Sequence, residues 1–161
     1  MSRTPRVSVI LVNYKGIEDT LTAVEHLSNL AEFPRDLEIV VVDNASGDDS
    51  VSRLRASTTP IVLVESDANL GFAGGCNLGV RHSQGEIVAF LNNDARPDSR
   101  WVEAALETFD AYPHTGAVAS QVLDWEGKHV DFQGAGMTWY GMGYRPLTGE
   151  KVKKNKQARE P

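Results

Sequence analysis

The sequence is poor in cysteine, in long apolar runs and in positive charge over most of its length. Cys76 is the only cysteine, so no disulfide can form within the chain. That fits a reducing compartment such as the cytoplasm. No stretch of 18 apolar residues occurs, so no segment reads as a membrane-spanning helix. Met1-Ser2-Arg3-Thr4-Pro5 leads straight into a strand pattern, with neither the apolar region nor the small-residue cleavage site of a signal peptide. The four histidines, His26, His82, His114 and His129, are scattered and show no zinc-ligand spacing. No nucleophile elbow and no phosphate-binding P-loop is present. Where a dinucleotide-binding G-x-G-x-x-G should follow the first strand pattern stands Asn13-Tyr14-Lys15-Gly16, which counts against a dehydrogenase.

The missing positive charge is a property of the body, not of the end. Residues 1–150 hold 11 Lys and Arg against 21 Asp and Glu, a balance of −10, whereas residues 151–161 carry +4. An acidic body does not fit a nucleic-acid backbone. It suits a phosphate ligand approached through a cation. The basic run that begins at Lys151 reads as a solvated loop or frayed end. The less favoured reading is contact with anionic lipid, which would place the protein peripherally at the inner face of the membrane.

What is present is enough for one domain with a hydrophobic core, since the chain has 161 residues. Five apolar, β-branched runs stand out at 7–12, 37–42, 61–64, 87–91 and 117–123. All but the last are nearly continuous, as expected of parallel strands covered on both faces. Between them lie helical patterns. Ile17, Leu21, Val24 and Leu27 form one stripe, Val102, Ala105, Leu106 and Phe109 another, and shorter helices are expected over 48–54 and 77–82. Gly85 is expected to end the third helix, and Asp98 or Ser99 to start the fourth. Alternating strands and helices predict a doubly wound α/β sheet. Asp124-Trp125-Glu126-Gly127-Lys128 reads as a hairpin turn. From Arg145 to Pro161 no strand or helix pattern is visible.

Ligands of an open α/β sheet bind beyond the carboxyl ends of its strands. Four successive strand ends turn polar together: Asn13-Tyr14, Asp43-Asn44, Asp67 to Asn69, and Asn92-Asn93-Asp94. Asp94, directly after a buried strand, could hold Mg²⁺ or Mn²⁺, which keep several waters and take further oxygen ligands from a substrate pyrophosphate. The alternative is that Asn93 and Asp94 cap a turn before Pro97. Asp43 could accept a hydrogen bond from the N3–H of uracil or thymine, whereas cytosine offers a lone pair there; the alternative is a turn, with Ser46 or Asp48 capping the next helix. The glycine-rich stretch from Gly71 to Gly79 could let a phosphate approach the backbone, or could serve a tight turn and close packing. Trp139 and Tyr140 could stack on a sugar or pin a loop.

Together these strings resemble the family-2 inverting glycosyltransferases of GT-A fold. The resemblance is carried by Val-Ser-Val-Ile-Leu-Val-Asn-Tyr-Lys-Gly (7–16), Val-Val-Val-Asp-Asn-Ala-Ser-Gly-Asp (40–48), Asn-Leu-Gly-Phe-Ala-Gly-Gly-Cys-Asn-Leu-Gly (69–79) and Phe-Leu-Asn-Asn-Asp-Ala (90–95). The last two look most like a rhamnosyltransferase-like branch that builds bacterial cell-surface polysaccharide. The resemblance implies a Rossmann-like, mostly parallel sheet flanked by helices. It implies a dTDP- or UDP-sugar donor and a glycan or lipid-linked acceptor. Asn13, Tyr14, Asp43 and Asn44 would line the nucleotide side, Asp67, Asn69, Gly71 and Asn77 the nucleotide and sugar side. Asn92 and Asn93 stand where the family has an Asp-x-Asp-type motif, leaving Asp94 as the charged metal ligand. The family's catalytic base comes from a segment well downstream. Glu126, Asp131 and Glu150 do not match it, so no base is assigned. The chain is accordingly expected to be the N-terminal part, with a nucleotide-sugar region over 1–123 and the start of an acceptor-side region over 124–161. A non-catalytic nucleotide-sugar-binding module is the alternative.

Overall fold

The computed structural model describes residues 4–31, 33, 35–134, 136, 137, 143, 144 and 147–152. The chain divides into two compact units, residues 1–104 and 105–161.

In the first unit the continuous apolar runs become parallel strands β1 (Val7–Asn13), β2 (Leu37–Asp43), β3 (Val62–Glu65) and β4 (Ile87–Phe90). They form one sheet in the order β3-β2-β1-β4. The central pair β1 and β2 is buried almost throughout, which is why its sequence lacks polar alternation. Helices α1 (Ile17–Ser28) and α2 (Ser50–Arg55) follow β1 and β2, and α3 (Gly71–His82) connects β3 to β4. Because β4 lies on the far side of β1, the strand order reverses between β1 and β4.

α1 and α3 lie against opposite faces. Thr20 of α1 reaches Asn13, which shares the face of Leu11 and Val9 by strand alternation. α3 packs on the other face, where Ile10, Val40, Val42 and Val64 form a buried cluster bordered by Leu78. Glycine makes that approach possible. A Cβ on Gly79 would lie 2.5 Å from Ile10 Cγ2, and one on Gly75 2.8 Å from Val12 Cγ1. The stretch expected as a loop ahead of a helix at 77–82 is therefore the first half of α3 itself. Close contact with the sheet overrides glycine's poor helix propensity.

Gly85 is not the helix cap it was expected to be. α3 ends at Ser83, which is extended. Gly85 instead sits against β1, where a Cβ would lie 2.5 Å from the Ser8 backbone nitrogen. α2 starts two residues later than expected, with the Ser50 amide donating to Asp48 Oδ1 at 2.9 Å.

Helix α4 (Trp101–Ala111) spans the boundary of the units, and Asp98 Oδ1 accepts the Arg100 amide just ahead of it. Val102 is buried, while Ala105, Leu106 and Phe109 are half-buried.

In the second unit the run at 117–123 does not supply a fifth parallel strand. Only Val122–Leu123 is extended (β5), and it pairs antiparallel with β6 (Val130–Phe132). The turn between them is the one expected, closed by the Asp124 carboxylate, which accepts the Lys128 amide and meets the His129 ring at 2.8 Å each. Gly136–Met137 (β7) and Gly143–Tyr144 (β8) form a second short antiparallel pair. Part of the segment expected to be patternless is ordered along β6: the Val130 amide donates to Glu150 O at 2.9 Å, and the Gly149 amide to Val130 O at 2.8 Å. Trp139, Tyr140 and the lysines beyond Val152 lie outside the described residues. Among the described residues no helix is long and apolar enough to cross a membrane.

Candidate functional site at the carboxyl edge of the sheet

The sheet brings the ends of β1, β2 and β4 side by side. Asn13 and Asp43 are direct register partners, and Asp43 is in turn the partner of Glu65. Strand order reverses between β1 and β4, and the space beyond the carboxyl ends at such a reversal is the usual ligand position in these sheets.

A buried polar chain runs along this edge. Asn13 is fully buried and Asp43 is 3% exposed. Asn13 Nδ2 donates to Asp43 Oδ1 at 2.8 Å and to Ser46 Oγ at 3.1 Å. Ser46 Oγ donates to Asp43 Oδ1 at 2.6 Å and accepts the Lys15 amide at 3.1 Å. The Ser46 amide donates to Asp43 Oδ2 at 3.1 Å. Asp43 thus keeps one oxygen, Oδ2, with spare accepting capacity. On the other side, Thr20 Oγ1 lies 2.9 Å from Asn13 Oδ1 as donor, and Asn93 Nδ2 donates to Thr20 Oγ1 at 3.2 Å. The side-chain amide of Asn13 and the hydroxyls of Thr20 and Ser46 all have partners, so burying them leaves no orphaned polar group among the three.

Asn44 plays a parallel part between β2 and the start of α3. Its Nδ2 donates to Asn69 Oδ1 at 3.0 Å and to Gly71 O at 3.2 Å, while its Oδ1 accepts the Leu70 amide at 2.9 Å. Asn69 Oδ1 also accepts the Gly71 amide at 2.8 Å, where the backbone takes φ +69°. Two non-glycine residues of the edge loops, Lys15 and Ala45, also take positive φ, of 56° and 60°, a conformation that costs about 1–2 kcal/mol.

Several other sequence candidates are exposed. Tyr14 is 47% exposed with the Lys15 ammonium 5.4 Å from its ring centre. Asp67, Asn77, Asn92 and Asp94 are exposed. Asp94 makes no side-chain hydrogen bond or ion pair within the described residues. The Asn92-Asn93-Asp94 turn is instead closed by its backbone, the Ala95 amide donating to Asn92 O at 3.0 Å. No group of three His, Cys, Asp or Glu side chains able to hold a metal occurs among the described residues. A carboxylate with no side-chain partner among the described residues suits a hard cation that brings water and phosphate oxygens with it.

The sequence candidates therefore divide. Asn13, Asn44 and Asn93 are tied into the framework, and Asp43 is partly so. Tyr14, Asp67, Asn77, Asn92 and Asp94 face outward. Two members of the framework, Thr20 and Ser46, were not among the expected site residues. Thr20 had one visible signal: it is a polar residue on the buried stripe of α1, three positions after Ile17.

A parallel sheet of this order flanked by helices, with a polar carboxyl edge and an exposed carboxylate after β4, defines an open α/β domain of the doubly wound kind. The chain belongs to glycosyl transferase family 2, whose family model matches residues 8–157. A low-salt glycan biosynthesis hexosyltransferase of Haloferax volcanii, Agl10, is 33% identical over 78% of this chain and 39% of its own length. The glucosyl-dolichyl phosphate glucuronosyltransferase of the same organism is 28% identical over 79% of this chain and 42% of its own. A mannosyltransferase from Pyrobaculum calidifontis, solved in complex with GDP-Man and Mn²⁺, superposes with a TM-score of 0.60 at 29% identity, over 75% of this chain and 36% of that one. S. aureus TarS shares the fold, with a TM-score of 0.60 at 21% identity over 72% of this chain and 37% of that one. The chain thus spans about two fifths of the length of these two curated relatives. Its four-stranded sheet is that of the GT-A glycosyltransferases.

Proposed function

We propose that the protein is a glycosyltransferase that moves a sugar, with inversion, from a nucleoside diphosphate to a glycan or lipid-linked acceptor in cell-surface polysaccharide synthesis. The observation that carries this reading is the carboxyl edge itself: a buried hydrogen-bonded network of Asn13, Asp43, Ser46 and Thr20, with Asp94, Asn92 and Tyr14 exposed, where strand order reverses between β1 and β4, in a family-2 chain. The nucleotide lies across the ends of β1, β2 and β4. Tyr14 packs on the base and Asp43 Oδ2 accepts a base N–H. Uracil and thymine offer one at N3, as does guanine at N1, the base of the donor held by the Pyrobaculum mannosyltransferase. Asp67, Asn69, Gly71 and Asn77 flank the ribose and sugar. Residues 124–161 begin the acceptor side.

Asp94, with the side-chain oxygens of Asn92 and Asn93 beside it, would hold Mg²⁺ or Mn²⁺. When bound, the cation neutralises the pyrophosphate and stabilises the departing diphosphate. The Mn²⁺ bound by the Pyrobaculum protein supports this use. The chain's own residues fix the base, orient the pyrophosphate and leave the anomeric carbon facing the acceptor. The glycan biosynthesis named for one relative and the glucosyl-dolichyl phosphate named for the other support the acceptor class.

Calorimetric titration with UDP, dTDP, GDP and CDP in Mn²⁺ tests this. Binding of the first three with CDP weakest is expected. Failure of all four to bind contradicts the proposal, and binding of a sugar donor by a full-length protein that neither hydrolyses nor transfers it would favour a non-catalytic module.

A further inference from the structure

Asn93 occupies the one position in the turn after β4 whose side chain is drawn inward. Its Nδ2 lies 3.2 Å from Thr20 Oγ1 and 3.4 Å from the Gly16 carbonyl oxygen. A carbonyl oxygen can only accept, so the Asn93 amide nitrogen, not its oxygen, must face Gly16. Thr20 is ambivalent, since a hydroxyl both donates and accepts. Its single proton could go to Asn13 Oδ1 or to Gly16 O, both at 2.9 Å. Gly16 O already accepts the Thr20 amide at 3.0 Å. Asn13 Oδ1 is buried and has no other donor among the described residues, so the proton belongs there. Thr20 Oγ1 is then left as an acceptor for Asn93.

The chain of hydrogen bonds consequently has one direction: Asn93 N–H to Thr20, Thr20 O–H to Asn13 C=O, and Asn13 N–H to the Asp43 carboxylate. Asp43 fixes that direction, because its Oδ1 accepts from both Asn13 Nδ2 and Ser46 Oγ. We infer that Thr20 is a positioning residue that locks the Asn93 side chain with its nitrogen inward and its carbonyl oxygen toward the crevice beside Asp94. This rests on the proposed donor site and extends it. The cation-facing oxygen of Asn93 is oriented from beneath by a residue of α1, through a chain anchored at the base-reading residue. It also accounts for asparagine at 93. An aspartate there would set a carboxylate oxygen against Gly16 O, with no donor between them. Gly16 completes the arrangement, for a Cβ on it would lie 2.8 Å from Asn93 Nδ2.

The test uses the whole chain and four variants: Thr20→Val, Thr20→Ser, Gly16→Ala and Asn93→Asp. The first measurement needs no ligand. By NMR, the Asn93 side-chain amide protons exchange slowly with water in wild type and Thr20→Ser, and rapidly in Thr20→Val and Gly16→Ala. The second is titration with UDP or GDP in Mn²⁺ and in chelator. Thr20→Val weakens binding in Mn²⁺ about 10-fold, the usual effect of removing a residue that orients a metal ligand. It leaves binding in chelator nearly unchanged, and Thr20→Ser restores the Mn²⁺ value. Gly16→Ala behaves like Thr20→Val although the hydroxyl remains, because it displaces the same amide. Asn93→Asp does not strengthen Mn²⁺-dependent binding. If Thr20→Val loses affinity equally with and without Mn²⁺, or Thr20→Ser fails to rescue, Thr20 is only a packing residue and the inference is wrong. Fast exchange of the Asn93 amide in wild type overturns it without any ligand. Slow exchange in wild type combined with no nucleotide binding would instead contradict the proposed function and leave the orientation of Asn93 standing.

Discussion

Asn13 and Asp43 end adjacent parallel strands at the same register position, and the Asn13 amide donates to the Asp43 carboxylate at 2.8 Å. A polar pair this deeply buried at the sheet's edge makes the candidate site and the core one structure. Asn13→Ala removes both donors and the acceptor that hold Asp43, Ser46 and Thr20. Each buried group left without a partner costs about 1–3 kcal/mol. The variant is expected to lose several kcal/mol in urea unfolding and to bind UDP or GDP poorly. Asp43→Asn keeps the shape but turns an acceptor into an amide; stability should fall less than for Asn13→Ala, and discrimination against CDP should disappear in titrations.

Gly79→Ala should destabilise the fold although alanine is the better helix former. The added methyl meets Ile10 Cγ2 at 2.5 Å and Val42 Cγ2 at 3.2 Å. Overpacking of this kind costs about 1–3 kcal/mol, against about 1 kcal/mol of helix propensity gained. Urea denaturation checks the sign. Ile10→Ala in the same chain should make the cost of Gly79→Ala smaller, since the clash and its partner are then removed together.

Much of the first unit was legible because its chemistry is redundant. β1 and β2 had to be buried on both faces, and Val7–Val12 and Leu37–Val42 could hardly be anything else. What was hidden depended on contacts distant in sequence. The glycines from Gly71 to Gly79 look the same as a phosphate loop or as a helix pressed on a sheet, and only the position of Ile10 and Val12 decides between them. Gly85 was misread as a helix cap for the same reason: its bare Cα is required by Ser8. The short run at 117–123 has strand composition, but its pairing partner is Val130–Phe132, not β4. A polar residue at a strand end gives no sign of whether it faces a ligand or a neighbour. The side chains of Asn13 and Asn44, expected to line the pocket, are taken up by hydrogen bonds within the protein. Asp94, equally ambiguous in sequence, has no side-chain partner among the described residues.

The β5–β6 turn should respond to acid. The His129 ring and the Lys128 amide beside Asp124 hold its carboxyl below the usual carboxylate value of 3.8. The folded value is thus lower than the unfolded one. The stabilisation is present above the unfolded value and is lost as pH falls through the depressed folded value. Carbonyl-carbon NMR should place the Asp124 midpoint below 3.8. His129→Ala should move that midpoint up. A midpoint unchanged by the substitution would mean that the histidine contact does not persist in solution.

Cys76 should be inert while the protein is folded. It lies within α3, where it is 8% exposed, and burial pushes its thiol above the ordinary value, leaving little thiolate to react. Its reaction with Ellman's reagent should be slow in buffer and fast in urea. Comparable rates would mean that α3 opens readily from the sheet.

The most direct test of the proposed donor site is the affinity of the Asp94→Ala protein for UDP or GDP, measured by calorimetry beside wild type in Mn²⁺ and in chelator. Asp94 has no hydrogen bond or ion pair among the described residues to lose, so its removal should leave the melting temperature nearly unchanged. Binding should weaken by about 10-fold or more in Mn²⁺ and by much less in chelator, because the cation stays with the pyrophosphate but loses its anchor on the protein. An equal loss with and without Mn²⁺, or no loss in either, would contradict a metal-bridged donor site at the carboxyl end of β4.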